Sequence, residues 1–183
     1  MRLRIAAIQP SVTDDVNQNI NEVMRLIHLA SSKNADLVAL PELWIHSTPT
    51  HIITKLSDHS QSIIKKLTSI AKSFELSIIG GGIYFEENHR IGIGCPVINE
   101  QGELLGIQYK VHLFNEEQVL FTPGDRFDVF KVAGTNIGIA ICHDIVYLES
   151  VRILALKDAD VVINPSRIIT AGIKPWQLYV SVR

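Results

Sequence analysis

Residues 136–156 read NIGIAICHDIVYLESVRILAL, a short apolar run that stops at Cys142, followed by a longer run with helical spacing. This order predicts a strand that ends at the cysteine and a helix that begins directly after it. A turn of this kind exposes the side chain at its tip and presents backbone N–H groups to a developing negative charge. Cys142 is therefore a candidate nucleophile. The alternative is that its thiol packs in the core as a small hydrophobic group.

Upstream of this turn, strand-like and helix-like stretches alternate. The apolar runs LRIAAIQ (3–9) and ADLVALPE (35–42) are typical of buried strands. Each precedes a stretch, 17–34 and 58–74, in which apolar residues recur three and four positions apart, as in amphipathic helices. The run LSIIGGGIYF (76–85) predicts a third strand. The order strand, helix, strand, helix, strand indicates a layered α/β fold.

Further along the chain, the pattern changes to hairpins. Strand-like runs alternate with turn residues at 86–88, 99–102 and 134–136. Another strand is predicted at DVVINPS (160–166), and the start of a helix at WQLYVSVR (176–183). We therefore expect an α/β fold with mixed sheets and flanking helices. No repeat or linker-like segment divides the chain, so a single domain over residues 1–183 is expected.

Composition narrows the classes of function. The formal net charge is −2 and the basic residues form no cluster, which argues against nucleic acid as a partner. The two cysteines lack a CxxC spacing and the N-terminus lacks the apolar core of a signal peptide, so we expect free thiols in the cytoplasm. No apolar stretch reaches the roughly 18 residues that a membrane-spanning helix needs, so a membrane is not an expected partner either.

Two charged residues lie at the ends of predicted strands. Glu42 follows Pro41 at the end of ADLVALPE, where packing does not explain an acid and burial would raise a carboxyl pKa. A helix cap or a loop ion pair is the alternative for Glu42. Lys110 ends the run GIQYK, where a lysine is commonly solvated or protects a strand edge. Neither position by itself establishes a catalytic role.

Three separated blocks change this interpretation. They are ALPELW (39–44), YKVHLF with EEQVLFTPG (109–124), and IAICHDIVYLESVRILALKDADVVINPS (139–166). In order and spacing they resemble the blocks of the nitrilase superfamily of carbon-nitrogen hydrolases, and the resemblance extends from RIAAIQP (4–10) to the terminal WQLYVSVR. It implies an αββα sandwich, in which mixed sheets are flanked by helices.

The resemblance also implies a catalytic triad. By position, Cys142 corresponds to the family's nucleophile, Glu42 to its general base and Lys110 to the residue that stabilises charge. The implied reaction is hydrolysis of a small amide to an acid and ammonia through a cysteine thioester, with no metal and no other cofactor. Nitriles and N-carbamoyl compounds are the alternative substrates.

Two further residues are expected to position the substrate. Glu117, seven residues before Gly124, occupies the place of the family's second glutamate, and the adjacent Glu116 is the alternative. His143 stands where the family has an aromatic or acidic residue. Family members continue past the segment that matches WQLYVSVR, so the resemblance further implies that the last strands are missing and that a homo-oligomer covers the exposed sheet.

Other functions remain open from the sequence. An inactive relative that binds a ligand or a partner is consistent with the chain's length. A papain-like site would pair Cys142 with His112 or His143, and Asp144 would orient that histidine. A metal site at Cys142, His143 and His112 lacks an HExxH or a paired CxxC spacing. The other cysteine, Cys95, is expected to be a packing thiol.

Overall fold

The computed structural model describes residues 2–47, 53–168 and 173–181. Its elements are, in chain order, strand β1 (Ile5–Ala7), helix α1 (Val16–Ser32), β2 (Leu37–Ala39), α2 (Ile53–Ser57), α3 (Ser60–Phe74), β3 (Ser77–Ile79), β4 (Ile83–Glu87), β5 (Arg90–Ile98), β6 (Leu104–Tyr109), α4 (Glu117–Leu120), β7 (Val129–Val132), β8 (Thr135–Ile139), α5 (Leu148–Leu156), β9 (Val161–Ile163) and α6 (Ile173–Ser181). A short 3-10 turn over Cys142–Val146 lies between β8 and α5. Residues 182 and 183 of the predicted terminal helix lie outside the described residues.

The larger sheet is mixed. Strands β1, β2 and β3 are parallel neighbours in that order. Strand β5 runs antiparallel to β3, and β6 runs antiparallel to β5, so β6 points in the same direction as β2. The carboxyl ends of β2 and β6 therefore lie at the same end of the sheet, where the residues that follow them can meet.

The run predicted as one strand at 76–85 is two strands, so this prediction was wrong in detail. Strands β3 and β4 pair with the two halves of β5, and residues 80–82 separate them. Gly81 has a φ of +70°, and a Cβ there would lie 2.1 Å from the carbonyl oxygen of Pro41. Only glycine lets two stretches of backbone come this close. The break thus makes room for the loop that carries Glu42.

The smaller sheet has the order β7, β8, β9 in the described part of the chain. Strands β7 and β8 form an antiparallel hairpin, and β8 and β9 are parallel. The hairpin turns at Ala133 and Gly134, between the paired residues Val132 and Thr135, slightly before the predicted turn at 134–136. The φ values of 48° at Ala133 and 73° at Gly134 are typical of the type I′ turn that suits a two-residue hairpin.

Helices cover the larger sheet and both sheets share one core. Asp15 caps the start of helix α1, and its carboxylate accepts two N–H groups of the first turn. Val23 of α1 and Leu67 of α3 are fully buried, so these helices turn their apolar faces inward. Ile78 of the larger sheet and Ile137 of the smaller sheet belong to the same hydrophobic cluster. The layered α/β arrangement is the one that the sequence predicted.

Within the described ranges, no helix combines the length and the apolar character that crossing a bilayer requires. The expected single domain over 1–183, the expected homo-oligomer and the expected cytoplasmic location stay predictions.

We expect Gly81→Ala to lower the free energy of unfolding by about 2 kcal/mol or more, because the added Cβ meets backbone and the positive φ is strained. Urea unfolding measures the change. Ser69→Ala, on the exposed face of α3, is the control and should stay within about 0.5 kcal/mol of the unaltered chain. Equal unfolding free energies for the two variants would contradict this account of the glycine break.

Candidate active site

Glu42 lies in a tight turn after β2 and is only 3% exposed. The next residue, Leu43, has a φ of 52°, and its N–H donates to the carbonyl of Gly82 at 2.7 Å. The indole N–H of Trp44 donates to the carbonyl of Gly80 at 2.9 Å. Both bonds hold the turn against the glycine break, so the carboxyl group is fixed inside the protein.

Lys110 follows β6 and is 1% exposed, so it is not the solvated edge lysine that was the alternative. Its Nζ lies 2.8 Å from Oε1 of Glu42 and 2.7 Å from Oε2 of Glu117. Its backbone N–H donates to Ile93 and its carbonyl accepts the N–H of Gly124, each at 2.8 Å. The ammonium and the backbone are both held, and the ammonium bonds are of the strong charge-assisted kind.

Glu117, rather than Glu116, contacts this cluster. The Glu117 carboxylate accepts the Lys110 ammonium and, at 2.7 Å, the backbone N–H of Phe114. Glu116 precedes α4, is exposed, and its side chain caps no N–H of that helix. The geometry therefore selects Glu117 from the two adjacent glutamates.

Cys142 places its thiol in hydrogen-bond contact with the Glu42 carboxylate. The residue follows β8 and has a φ of 44°, a left-handed conformation that is uncommon outside glycine and occurs at sharp functional turns. Its backbone N–H donates to the carbonyl of Pro165 at 2.8 Å. The turn thus brings the sulfur to residues that are far from it in the sequence.

The segment after the candidate nucleophile is a 3-10 turn, and the prediction of a helix starting there was wrong. The turn spans Cys142–Val146, and α5 begins only at Leu148. Oδ2 of Asp144 accepts the N–H of Ile141 at 2.9 Å, which closes the turn. Tyr147 is extended and separates the turn from the helix. The N–H groups next to the thiol therefore belong to this turn and not to the first turn of an α-helix.

Burial and charge set the protonation of the cluster. Burial raises the pKa of the Glu42 carboxyl, although Lys110 opposes this. Burial and the Glu42 carboxylate raise the pKa of the Cys142 thiol. Burial acts to lower the pKa of Lys110, but the surrounding negative charges, with Glu42 the largest, raise it overall. The resting cluster therefore holds a protonated thiol and a protonated lysine, and the thiol needs a base before it can attack.

His143 lies next to the thiol in the chain and is neutral near pH 7. Its ring makes edge-on contacts with Phe114 and Tyr147, at centroid distances of 5.1 and 5.4 Å. Burial and the charge of Lys110 lower its pKa. Its buried Nδ1 finds no hydrogen-bond partner among the described residues. A polar group of this kind is available to a bound ligand.

The residues proposed for a papain-like site make a different contact. Oδ1 of Asp144 accepts the backbone N–H of His112 at 2.7 Å and lies 3.0 Å from its Nδ1. The His112 ring also stacks on Tyr147, with centroids 3.8 Å apart. This pair ties the end of β6 to the turn after β8, whereas the thiol bonds to Glu42. No group of three or more His, Cys, Asp or Glu within the described ranges is arranged to hold a metal ion.

Arg167 contacts the cluster and was not predicted to do so. Its backbone N–H donates to Oε2 of Glu42 at 3.2 Å and also hydrogen-bonds to the sulfur of Cys142. The one signal in the sequence was its place after DVVINPS, because β9 is parallel to β8 and both strands end at the same edge. The residue type gave no signal, since the contact is made by the backbone.

Comparison with known proteins identifies relatives along nearly the whole chain. The family model described as carbon-nitrogen hydrolase matches residues 4–182. The omega-amidase NIT2 of Xenopus tropicalis is 28% identical over an alignment of 193 residues including gaps, which covers 100% of this chain and 70% of the relative.

Solved structures share the fold. Nit3 of Saccharomyces cerevisiae, a member of branch 10 of the nitrilase superfamily, is 26% identical with a TM-score of 0.90, over 98% of this chain and 70% of that one. An amidase from Nesterenkonia sp. is 25% identical with a TM-score of 0.84, over 93% of this chain and 68% of that one. These similarities confirm the expected fold class.

We expect Lys110→Met to lower the free energy of unfolding by about 3 kcal/mol or more, because it leaves the Glu42 and Glu117 carboxylates side by side without a cation. Urea unfolding at pH 7 measures the loss, which should shrink as the pH falls and the carboxylates gain protons. Lys65→Met, on the exposed face of α3, is the matched control. If both variants keep the unaltered stability, the ammonium does not hold the cluster together.

Proposed function

The chain belongs to the carbon-nitrogen hydrolase family, which confirms the resemblance found in its sequence, and on this premise we propose that it hydrolyses a small amide to a carboxylic acid and ammonia. One observation carries the proposal: the buried Glu42 carboxylate contacts both the Cys142 thiol and, at 2.8 Å, the Lys110 ammonium. The names of the relatives, omega-amidase and amidase, support an amide as the substrate.

In the first half of the reaction, Glu42 accepts the thiol proton while the sulfur of Cys142 attacks the amide carbon. The C–N bond then breaks, and the proton held by Glu42 moves to the departing nitrogen, which leaves as ammonia. The acyl group remains on sulfur as a thioester. The raised pKa of Glu42 supports this role, because a general base is most effective when its pKa lies near the working pH.

In the second half, a water molecule gives a proton to Glu42 and its oxygen attacks the thioester carbon. The C–S bond breaks, the proton returns from Glu42 to the sulfur, and the carboxylic acid is released. One carboxyl group thus carries the proton in both halves of the cycle, and the enzyme ends in the state in which it began.

Charge that develops on the amide oxygen needs donors that are already in place. Lys110 is protonated, and its ammonium is held by two carboxylates beside the thiol. The backbone N–H of His143, the residue directly after the thiol, is the second donor in this proposal. Removing one such donor typically lowers kcat by about 10² to 10³. Glu117 keeps the ammonium in position, and the buried Nδ1 of His143 is a contact for the rest of the substrate.

The same thiolate chemistry applies to nitriles and N-carbamoyl compounds. A screen of short primary amides, nitriles and N-carbamoyl amino acids, with ammonia as the measured product, separates these substrates. We expect the amides to be turned over fastest. Release of ammonia from nitriles alone would contradict the amide as the preferred substrate.

We expect Cys142→Ala to reduce ammonia release to the background rate while the fold is kept, because no other group in the cluster can form the thioester. Cys95→Ala is the matched control: that thiol is fully buried in β5, and burial raises its pKa to about 12, so it should not react. Steady-state ammonia release and circular dichroism measure activity and fold. Turnover by purified Cys142→Ala would rule out the thioester route.

We expect kcat/KM to fall on the acid side at a pH above 4.5, the ordinary value for a glutamic acid, because burial raises the pKa of Glu42 and only its carboxylate accepts the thiol proton. Glu42→Gln should lower kcat by about 10² or more at every pH. Glu116→Gln, exposed and outside the cluster, should keep the profile. An acid limb at or below 4.5 would contradict the role of Glu42 as base.

A further inference from the structure

The segment after β9 is bonded to the turn that carries the nucleophile. The side-chain amide of Asn164 donates to the carbonyls of Ala140 at 2.5 Å and Cys142 at 3.2 Å. The carbonyl of Pro165 accepts the N–H of Cys142. Three hydrogen bonds therefore fix the start of this segment beside the sulfur.

Arg167, at the other end of the same segment, is bonded to the loop that carries the base. Its guanidinium donates to the carbonyls of Leu43 at 3.5 Å, His46 at 3.0 Å and Ser47. All three acceptors lie in the few residues after Glu42, more than 100 positions away in the sequence. One side chain thus connects the nucleophile side of the site to the base side.

An arginine suits this contact because its planar guanidinium presents five donors in a fixed geometry. The loop it binds needs external support, since Leu43 is held in a left-handed conformation directly after Glu42. Non-glycine residues keep this conformation only where the surrounding structure imposes it. The guanidinium supplies part of that constraint from outside the loop.

We propose that Arg167 is a positioning residue of this site, whose guanidinium anchors the loop after Glu42 so that its own backbone N–H stays on the Glu42 carboxylate and on the Cys142 sulfur. This inference rests on the proposed thiol chemistry and adds a residue to it.

The anchoring has two physical effects. Lys110 binds Oε1 of Glu42 and the Arg167 N–H binds Oε2, so both oxygens are fixed and the carboxylate keeps one orientation toward the thiol. The same N–H donates to the sulfur, which favours the thiolate once the proton has left. Loss of the guanidinium frees the loop and the segment to move apart, and the N–H leaves both acceptors.

The test compares Arg167→Ala, which keeps the N–H and loses the anchor, with Arg167→Lys, which keeps one donor group. Arg152→Ala, an exposed arginine on α5, is the control. Two quantities are measured on the full chain: kcat and KM for the best amide of the screen, and the pH dependence of Cys142 alkylation by iodoacetamide, with peptide mapping to separate Cys142 from Cys95.

For Arg167→Ala we expect kcat to fall roughly tenfold with KM changed by less than about threefold, because orientation and not binding is lost. The midpoint of alkylation should move to higher pH by about half a unit or more. Arg167→Lys should have a kcat and an alkylation midpoint between those of Arg167→Ala and the unaltered chain. Arg152→Ala should match the unaltered chain in both. An unchanged kcat and alkylation midpoint in Arg167→Ala would overturn the proposal. If thermal stability alone fell, Arg167 would have a purely structural role.

The alkylation measurement needs no turnover. If the unaltered chain releases no ammonia from any compound but Arg167→Ala still shifts the alkylation midpoint, the proposed function fails and the role of Arg167 stands. If ammonia is released by the unaltered chain and Arg167→Ala changes neither kcat nor the midpoint, the proposed function stands and the role of Arg167 fails.

Discussion

The ammonium group of Lys110, enclosed by the carboxylates of Glu42 and Glu117, is the interaction on which the rest of the site depends. Charges removed from water are strongly unfavourable unless they are paired at short range. Here one cation meets two anions at 2.8 and 2.7 Å, and the ammonium and the Glu42 carboxylate have almost no exposure to solvent. The pairing joins the ends of β2 and β6 to the short helix α4. The location of the Glu42 carboxylate, the proposed base, is therefore fixed by electrostatics as well as by packing.

A glycine break and side-chain bonds to the backbone allow that pairing to form. The break between β3 and β4 lets the loop after β2 approach the sheet, and the indole N–H of Trp44 donates to the Gly80 carbonyl in the break. On the opposite side, Asp144 folds the turn after β8 and also binds the backbone of His112, two residues beyond Lys110. Each of the three groups is supported by a neighbour that takes no part in the proposed reaction. In that reaction, this rigidity lets the Cys142 thiol and the Glu42 carboxylate exchange a proton over a short distance.

Much of this arrangement was predictable from the sequence. The apolar residues of helices α1 and α3 recur at helical spacing, which identified these helices. The short strands were identified by their apolar composition, which is typical of buried strands. Glu42, Lys110 and Cys142 were found as candidates because each ends a predicted strand within a block that resembles a known family. The directions of β2 and β6 then explain why Glu42 and Lys110 meet.

What the sequence did not reveal depends on tertiary contacts. The break at 80–82 is set by the approach of Pro41, more than 30 residues earlier. The 3-10 turn after Cys142 is closed by a side-chain bond of Asp144, which competes with the helical pattern of the following residues. Arg167 donates to acceptors more than 100 residues away, and three of them are backbone carbonyls, which carry no residue-type signal. Local sequence patterns indicate which face of a helix or strand is buried and which period its apolar residues follow. The strand break, the 3-10 turn and the Arg167 contacts depend on neither property.

The left-handed backbone at Leu43 and Cys142 places the chain under opposing selective pressures. Each such conformation outside glycine stores about 1 to 3 kcal/mol, a sizeable fraction of the net stability of a domain of this size. Leu43 directly follows the proposed base and Cys142 carries the proposed nucleophile, so relaxing either backbone would favour the folded state and displace the atoms that have to meet. Evolution toward a more robust domain and evolution toward a faster catalyst therefore pull these two positions in different directions.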